Sequence, residues 1–253
     1  MKITIITPSF NQADFLEQTI KSVVSQSHKN IEYLIFDADS TDGSVDIIKK
    51  YAKKYPKLIK WQSKKDKGQV DALNKGLKVA TGDVIAYINS DDYYLPGAFN
   101  KVVATFEENP SAQWLVGNCQ VTAKNLSWTF KLKHLVPIHK SISWLYLSNW
   151  INQPAVFLRK DLVSRVGKFN PKYNYAFDYD YWLRCSKVAL PSRLKQNLAV
   201  FRVHSQSKGS SAFKDQFKED YLTARRYSPS NLINFLHYLS YKLVIYLYTF
   251  IKR

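Results

Sequence analysis

The stretch from Asp83 to Asp92, DVIAYINSDD, decides the fold. It follows Thr81-Gly82, a turn signal, and it is apolar almost without interruption from Val84 to Ile88. A short apolar run between turn residues predicts a buried strand of a parallel sheet. Because ligands bind beyond the carboxyl ends of the strands in open α/β sheets, we expect Asp91 and Asp92 to line a binding crevice.

Two adjacent carboxylates at the end of a strand have two interpretations. Like charges side by side repel each other, and a divalent cation with oxygen ligands relieves that repulsion. Such a cation would in turn hold a phosphate group. Asp and Asn are also common turn residues, so a solvated turn is the alternative for Asp91 and Asp92.

Composition and charge limit the classes of protein to which the chain can belong. The chain has 253 residues, 45% hydrophobic and 23% charged, enough for one large α/β domain or a domain with a small appendage. Its formal net charge of +17 favours an anionic partner: nucleic acid, an acidic membrane face or a phosphorylated substrate. Cys119 and Cys185 lack metal-ligand spacing and no signal peptide is visible, so a cytoplasmic setting with reduced thiols is expected.

Strands alternate with helices in the first part of the chain. Three further buried strands are predicted at residues 3–6, 31–36 and 58–61, separated by helices whose apolar residues recur at helical spacing. This alternation predicts βαβ units and therefore an α/β fold with a Rossmann-like, mainly parallel central sheet flanked by helices.

The four predicted strands all end in polar residues: Ser9 and Asn11, Asp37 and Asp39, Asp66 and Asp71, Asp91 and Asp92. One such loop is ordinary helix capping, whereas four at one edge of a sheet make a crevice lined with carboxylates and amides. The sequence contains neither a dinucleotide-binding nor a P-loop glycine motif. A diphosphate in this crevice would therefore need a metal ion.

Four motifs in this order resemble the family-2 glycosyltransferases of the GT-A fold: TPSFN at 7–11, DADSTDG at 37–43, DKGQVDALNKG at 66–76 and NSDD at 89–92. The resemblance extends from residue 2 to about residue 204. It implies an inverting enzyme of polysaccharide biosynthesis, a hexosyltransferase that moves a sugar from a nucleotide-diphospho-sugar, with UDP expected, to a hydroxyl of a glycan or lipid-linked acceptor. It also implies Mn²⁺ or Mg²⁺ as the cofactor.

The resemblance implies a role for each motif. The first Asp of the second motif contacts the base and ribose, the third motif closes on the nucleoside, and the acids at the strand end bind the metal. Uridine is the usual base, with thymidine and guanosine as alternatives. The implied donor-binding residues are Thr7, Pro8, Ser9, Asn11, Asp37, Asp39, Asp66, Gly68, Asp71 and Ser90. The implied metal ligands are Asp91, Asp92 and His204, while Asn89 replaces the first acid of the usual metal motif.

A second chemical stretch surrounds Asp178, at the start of a predicted helix. The helix dipole favours the ionised form of a carboxylate there, although Asp is also a routine N-cap residue. The resemblance implies that Asp178 is the catalytic base, with Phe177 in place of the family's preceding Glu. The acceptor or auxiliary residues in this half are Gln153, Trp150, Asp180 and Arg202.

Aromatic residues are frequent in the second half, where two further strands, expected to be antiparallel, are predicted at residues 114–121 and 126–132. Trp114, Trp128, Trp144 and Trp150 could form a sugar or lipid platform, or they could pack the core. The flexible stretch 205–211 could form a lid over the donor.

The C-terminal stretch 231–251 is apolar and rich in tyrosine, and as a helix it would reach about 32 Å. Lys242 near the middle of a membrane would cost roughly 3 kcal/mol, which favours a helix lying in the interface of an anionic membrane, on its cytosolic face. A soluble docking helix or a homodimer contact is the alternative. The predicted domains are a catalytic domain at 1–212, with a donor half at 1–95 and an acceptor half at 96–212, and an amphipathic helical tail at 213–253.

Two other functions compete with sugar transfer. A nucleic-acid-binding protein would fit the net charge, but it predicts basic residues around the crevice, whereas the crevice loops are acidic, so no nucleic-acid partner is expected. A catalytically silent membrane scaffold of the same fold is the second alternative. The presence of both Asp91 and Asp178 argues against it.

Overall fold

The first part of the chain alternates strands with helices, as its periodicity predicts. The structure, a computed structural model, describes residues 1–123, 142–204 and 212–251. Its first seven elements are β1 (Ile3–Ser9), α1 (Ala13–Val24), β2 (Ile31–Asp37), α2 (Ser44–Lys54), β3 (Ile59–Ser63), α3 (Gln69–Val79) and β4 (Val84–Tyr87).

These four strands form a parallel sheet in the order β3-β2-β1-β4. Ile3 of β1 lies opposite Ile31 on one side and Val84 on the other, and β1 and β4 are buried throughout. Helix α3 packs so closely on β1 that a Cβ atom added at Gly76 would lie 2.6 Å from Cγ2 of Ile6. Burial on both faces explains why the sequences of β1 and β4 are nearly continuous apolar runs.

The described residues of the second part of the chain form four more strands and further helices. In chain order these are β5 (Tyr93–Tyr94), α4 (Ala98–Glu108), β6 (Trp114–Ala123), α5 (Ile142–Leu147), β7 (Val156–Arg159), α6 (Lys160–Val166), α7 (Phe177–Val188), β8 (Ser192–Val203), α8 (Phe213–Tyr227) and α9 (Asn231–Ile251). The strand predicted at 114–121 is present as β6. The strand predicted at 126–132 and the lid predicted at 205–211 lie outside the described residues.

Among the described residues, the sheet has eight strands in the order β3-β2-β1-β4-β7-β6-β8-β5. Strand direction changes at β7, which is antiparallel to both β4 and β6, and β5 is antiparallel to β8. Strand β4 is therefore central, with the parallel half of the sheet on one side and the antiparallel half on the other. The predicted α/β class is confirmed, and the parallel arrangement applies to the first four strands.

The chain divides into two packed units. The first comprises Met1–Val121, Asn152–Lys168 and Pro191–Arg202; the second comprises Thr122–Ile151, Phe169–Leu190 and Val203–Arg253. Within the second unit, a ring nitrogen of His237 on α9 donates to the carbonyl oxygen of Tyr146 on α5 at 2.8 Å. Tyr241 of α9 also stacks on Tyr221 of α8 at 5.5 Å. The boundary predicted between residues 212 and 213 stays a prediction.

Helix α9 has one outward apolar face. Large side chains on it are strongly exposed, among them Leu232, Phe235, Leu236, Leu239, Leu243 and Tyr246. Across the three described ranges, none of the helices has both the length and the apolar character that a membrane crossing requires.

Candidate active site

The loop after β2 is organised by a buried carboxylate. Asp37 accepts three hydrogen bonds, from the backbone N–H of Ser40 at 2.9 Å, from the Ser40 hydroxyl at 2.6 Å and from the Ser63 hydroxyl at 2.7 Å. Ser63 ends the neighbouring strand β3. Asp37 therefore ties the ends of β2 and β3 together at the carboxyl edge of the sheet.

The loops after β1 and β2 are also joined to each other. The backbone N–H of Asn11 donates to the Ser40 hydroxyl at 2.8 Å, and the Asn11 side chain accepts from the backbone N–H of Thr41 at 3.0 Å. Asn11 and Asp39 adopt positive φ angles of 48° and 67°, which Asn and Asp tolerate better than other side chains. The exposed Asp39 carboxylate thus lies on a loop whose conformation is set by Asn11 and Ser40.

The loop after β3 is held by its own acids. Asp66 accepts from the backbone N–H of Gly68 at 2.7 Å, and Gly68 has a φ of +99°, a conformation that favours glycine. Asp71 pairs with Lys75 at 2.8 Å and accepts from the backbone N–H of Lys67 at 3.3 Å. The hydrogen bond from Lys75 lowers the pKa of Asp71 below its usual value. Asp66 thus makes its contact within the loop, while Asp71, in the first turn of α3, joins that helix to the loop.

Asp91 and Asp92 follow β4 in different environments. Asp92 is 1% exposed, and its Oδ1 atom accepts from the backbone N–H of Arg202 at 2.9 Å. Burial and then the neighbouring Asp91 charge raise the pKa of Asp92 well above its usual value. Asp91 is partly exposed. The turn itself is closed by Thr19, whose hydroxyl donates to the carbonyl oxygen of Ser90 at 2.8 Å.

The guanidinium group of Arg202 fixes this turn from the side. It donates to the main-chain carbonyl oxygen of Asp91 and, at 2.8 Å, to the side chain of Gln18. It also lies over the rings of Phe15 and Tyr93, at 4.9 Å and 5.1 Å from their centroids. Arg202, predicted as an auxiliary residue, therefore contacts the backbone of the candidate metal-binding turn.

Several predicted residues of the first unit lie beneath the loops. Thr7, Pro8 and Ser9 are buried within β1, and the Thr7 hydroxyl pairs with the Tyr33 hydroxyl at 3.1 Å in the interior. Gln153 is also buried, and its side chain donates to the carbonyl oxygen of Tyr87 at the end of β4 at 2.7 Å. The structure thus brings Asn11, Asp37 and Asp39 together in linked loops and places Thr7 in the core.

Asp178 belongs to the second unit, in the first turn of α7. Its carboxylate is partly exposed and accepts from the backbone N–H of Tyr179 at 2.6 Å. The nearby Asp180 is buried, and its two oxygens accept from Arg184 Nε at 2.9 Å and from the Tyr227 hydroxyl at 2.6 Å. Asp180 therefore has a structural role in joining α7 to α8.

Two other predicted residues lie in the second unit. Trp150 is 6% exposed, as is typical of a core side chain, and its role in acceptor binding stays a prediction. Trp114, in the first unit, is fully buried, which supports the core-packing interpretation for that residue. His204 directly follows β8 and is partly exposed. The grouping of His204 and Asp178 with the acids of the first unit stays a prediction.

The residues present fit a divalent cation that arrives with its substrate. In the described ranges, no three His, Cys, Asp or Glu side chains are arranged to hold a metal on their own. Mg²⁺ and similar ions commonly bind one or two carboxylates and complete their shell with substrate phosphates and water. Asp91, with oxygen donors at the exposed end of the central strand, offers a site of that kind.

Sequence reasoning missed residues that organise the site. Ser40 contacts both Asn11 and Asp37, and Thr19 closes the turn before Asp91. Ser40 could have been identified, because a Ser three residues after an Asp suits local side-chain to backbone hydrogen bonding. Thr19 lies on a helix 71 residues from Ser90, so no local pattern points to it.

Comparison with known proteins identifies the family. Residues 4–167 match the family described as glycosyl transferase family 2, which is more than half of the chain. The chain belongs to that family. The family predicted from the four motifs is therefore confirmed, and with it the enzyme class of glycosyltransferase.

Proteins of similar sequence include glycosyltransferases from Mycobacterium bovis and Nostoc sp.. The chain is 28% identical over 194 residues to a PGL/p-HBAD biosynthesis glycosyltransferase of Mycobacterium bovis. The aligned region covers 75% of this chain and 72% of that protein. It is 37% identical over 107 residues to an uncharacterized glycosyltransferase of Nostoc sp., covering 42% of this chain. The chain spans only a third, 33%, of that relative's length.

Two solved structures of similar fold extend the comparison. A mannosyltransferase from Pyrobaculum calidifontis in complex with GDP-Man and Mn²⁺ has a TM-score of 0.71 at 16% identity, covering 96% of this chain and 69% of that chain. S. aureus TarS 1–349 in complex with UDP-GlcNAc has a TM-score of 0.70 at 20% identity, and the match covers 88% of this chain and 65% of that chain. At such identities the likeness establishes the fold, which is GT-A, as predicted.

Proposed function

We propose that the chain transfers a sugar from a nucleotide-diphospho-sugar to a hydroxyl group of a glycan or lipid-linked acceptor, with inversion at the anomeric carbon. The observation that carries this proposal is the set of linked loops at the carboxyl edge of the parallel strands. These loops combine the anchored Asp37, the exposed Asp39 and the partly exposed Asp91. Ligands of open α/β sheets bind beyond this edge.

The nucleoside of the donor is assigned to the loops after β1, β2 and β3. Asp37 sets the shape of these loops, and Asp39 and Asp66 offer carboxylates to ribose hydroxyls and base N–H groups. The buried Thr7, Pro8 and Ser9 support the strand below. A UDP-sugar is the first donor to test. GDP-sugars are the second, because one structure of similar fold carries UDP-GlcNAc and another carries GDP-Man.

The diphosphate of the donor is assigned to the turn after β4. Asp91 is the proposed ligand for Mn²⁺ or Mg²⁺, with His204 as a further ligand, while the buried Asp92 holds the turn through the Arg202 backbone. A divalent cation bound there supplies Lewis-acid stabilisation to the departing diphosphate. Arg202 keeps the backbone of Asp91 in place through its guanidinium group.

Asp178 is the proposed general base. It takes the proton from the acceptor hydroxyl, whose oxygen forms a bond to the anomeric carbon as the bond from that carbon to the diphosphate oxygen breaks. The diphosphate leaves with the bonding electron pair on the opposite face, so the configuration inverts. Asp178 lies in the first turn of α7, at the positive end of the helix dipole, and its carboxylate is a group that can accept the proton.

A screen of sugar nucleotides tests the proposal directly. Purified protein is incubated with UDP-, GDP- and dTDP-sugars in Mn²⁺, in Mg²⁺ and in chelator, and release of the nucleoside diphosphate is measured. We expect release from one donor class, dependent on the cation, and an inverted anomeric centre in the product by NMR. Folded protein that releases nothing from any donor would favour the catalytically silent scaffold instead.

The outward face of α9 supports a membrane-surface location for the enzyme. Exposed Leu232, Leu236, Leu239 and Leu243 follow one another at helical spacing, while His237 on the other side is buried against α5. The same unit also exposes cations: Lys242 on α9, and Lys214, Lys218 and Arg225 on α8. An interfacial helix on anionic lipid combines these two features and brings the enzyme to a lipid-linked acceptor. A homodimer contact through the same face is the alternative.

A further inference from the structure

Helix α8 binds the chain segment that leads into α7 through a single carboxylate. Glu219 of α8 accepts hydrogen bonds from three consecutive backbone N–H groups, those of Asn174 at 3.0 Å, Tyr175 at 2.6 Å and Ala176 at 3.0 Å. Successive N–H groups that converge on one anion form a nest, and hydrogen bonds to an ionised carboxylate are stronger than neutral ones. Glu219 is therefore a strong anchor for this segment.

Two further contacts join α8 to the same region. Arg226 donates to the Tyr173 hydroxyl at 2.9 Å, and the Tyr227 hydroxyl donates to the buried Asp180 at 2.6 Å. Burial, together with the hydrogen bond to Asp180, raises the pKa of Tyr227, so its hydroxyl keeps the proton that it donates.

These anchors lie on both sides of Asp178. Glu219 holds residues 174–176 just before it, and Tyr227 holds Asp180 just after it. The N-cap residue of α7 is Ala176, which has no side chain able to cap the helix. Glu219 thus anchors, from a different helix, the three residues that precede the first turn of α7.

We infer that Glu219 is a positioning residue for sugar transfer: with Tyr227, it holds the turn that presents Asp178 to the acceptor hydroxyl. This inference rests on the proposed function, in which Asp178 is the base. A base must come within hydrogen-bond reach of the proton that it removes, and a displacement of about 1 Å can cost on the order of a hundredfold in rate. The C-terminal helix α8 is then part of the catalytic apparatus.

Glu219→Gln is the variant that tests the inference. The carboxylate offers two accepting oxygens to three donors, whereas an amide offers one and turns an N–H group toward the remaining donors. Asp215→Asn is the matched control, because Asp215 is exposed on the same helix and the change in charge is identical. We expect Glu219→Gln to lower kcat about 10- to 100-fold with the donor Kd unchanged, and Asp215→Asn to leave both unchanged.

Amide hydrogen exchange tests the anchoring without reference to activity. In Glu219→Gln the amides of residues 174–176 should exchange faster than in the wild type and in Asp215→Asn. Unchanged exchange at these three amides would overturn the inference, whatever the catalytic result. If Glu219→Gln shows no cooperative unfolding transition, the variant is not folded. Tyr227→Phe then replaces it, because this change removes one hydrogen bond to Asp180 and keeps the ring.

A double-mutant cycle with Asp178→Asn separates positioning from general destabilisation. If Glu219 acts through Asp178, adding Glu219→Gln to Asp178→Asn should cause little further loss of turnover. Losses that multiply would show that Glu219 acts elsewhere and would overturn the inference. Full turnover by Asp178→Asn would instead refute the base assigned in the proposed function, while the exchange measurement still decides whether Glu219 anchors the turn.

Discussion

Asp91 and Asp92 are adjacent in sequence but differ in what surrounds them. The Asp92 carboxylate is buried and accepts the backbone N–H of Arg202, from a strand 110 residues further along the chain. Asp91 is partly exposed on the same turn. The two residues therefore have different proposed roles: Asp92 stabilises the turn, and Asp91 is the proposed metal ligand.

Asp91→Ala should abolish the cation-dependent part of diphosphate binding. The substitution removes the carboxylate proposed to hold the metal and leaves Asp92 and Arg202 in place, so the fold should persist. The measurement is calorimetric titration with UDP and with GDP, in the presence and absence of Mn²⁺. Asp46→Ala, which removes an exposed carboxylate of α2, is the control and should bind as the wild type does. Equal affinity and equal Mn²⁺ dependence in Asp91→Ala would exclude Asp91 as a metal ligand.

Asp178→Asn should lower turnover at least about a hundredfold with donor binding intact. Asn keeps the shape of the side chain and its ability to accept the Tyr179 N–H, but it cannot take a proton from a hydroxyl. Steady-state transfer rates and the donor Kd are measured on the same preparation. Near wild-type turnover would mean that Asp178 only stabilises the first turn of α7 and that the base lies elsewhere.

The sheet contains a buried carboxylate far from the candidate site. Glu32 of β2 is 3% exposed and accepts from the Thr4 hydroxyl at 2.8 Å, the Thr81 N–H at 2.8 Å and Lys60 at 3.0 Å. Burial by itself would raise the pKa of Glu32, but these hydrogen bonds outweigh it and lower the pKa to about 2. Glu32 thus joins β1, β2 and β3 near the start of β1, and its ionised form stabilises the fold.

The stabilisation by Glu32 should depend on pH. Because its folded-state pKa is depressed, the contribution is complete above the unfolded value of 4.5 and is lost as pH falls toward 2. Allowing for solvent screening near the sheet edge, we expect about 2 kcal/mol at neutral pH. Urea unfolding of Glu32→Gln and wild type between pH 3 and 7 measures this, with exposed Glu107→Gln as the control. A stability difference that stays constant across this range would contradict the assignment.

The helices of the second unit have different tasks. Helix α7 carries Asp178, α8 anchors the turn before it through Glu219, and α9 is fixed to α5 by His237. Burial lowers the pKa of His237, which favours the neutral ring that packs there. The helical tail expected from the sequence is therefore attached to the rest of its unit by specific contacts on the side of α9 that carries His237.

At the scale of the whole molecule, the net charge of +17 and the outward face of α9 suggest the same anionic partner. The acidic loops at the carboxyl edge of the first unit do not suit nucleic acid. Anionic lipid fits both features, because cations contact the headgroups while apolar side chains enter the interface.

Leu236→Asp with Leu243→Asp should prevent binding to anionic vesicles. Both side chains are strongly exposed, at 45% and 57%, so the changes should leave the fold intact. Co-flotation with vesicles containing phosphatidylglycerol is compared with vesicles of phosphatidylcholine, at low and high salt. Leu190→Asp, at an exposed leucine outside α9, is the control. Wild-type protein that does not float with either vesicle would refute the membrane proposal, and a concentration-dependent dimer lost in the double variant would support the homodimer alternative.

The sequence by itself determined the alternation of strands and helices, the four polar strand ends and the family. These features are local: periodicity along β1 to β4 and residue types such as Asp37, Asn11 and Asp91 can be read within a few positions. Only the tertiary structure decided the order of the strands beyond β4, the hydrogen bond from the Arg202 backbone to the buried Asp92, and the anchoring of residues 174–176 by Glu219. The physical reason is that each of these depends on hydrogen bonds between residues 40 to 110 positions apart, which no local pattern encodes.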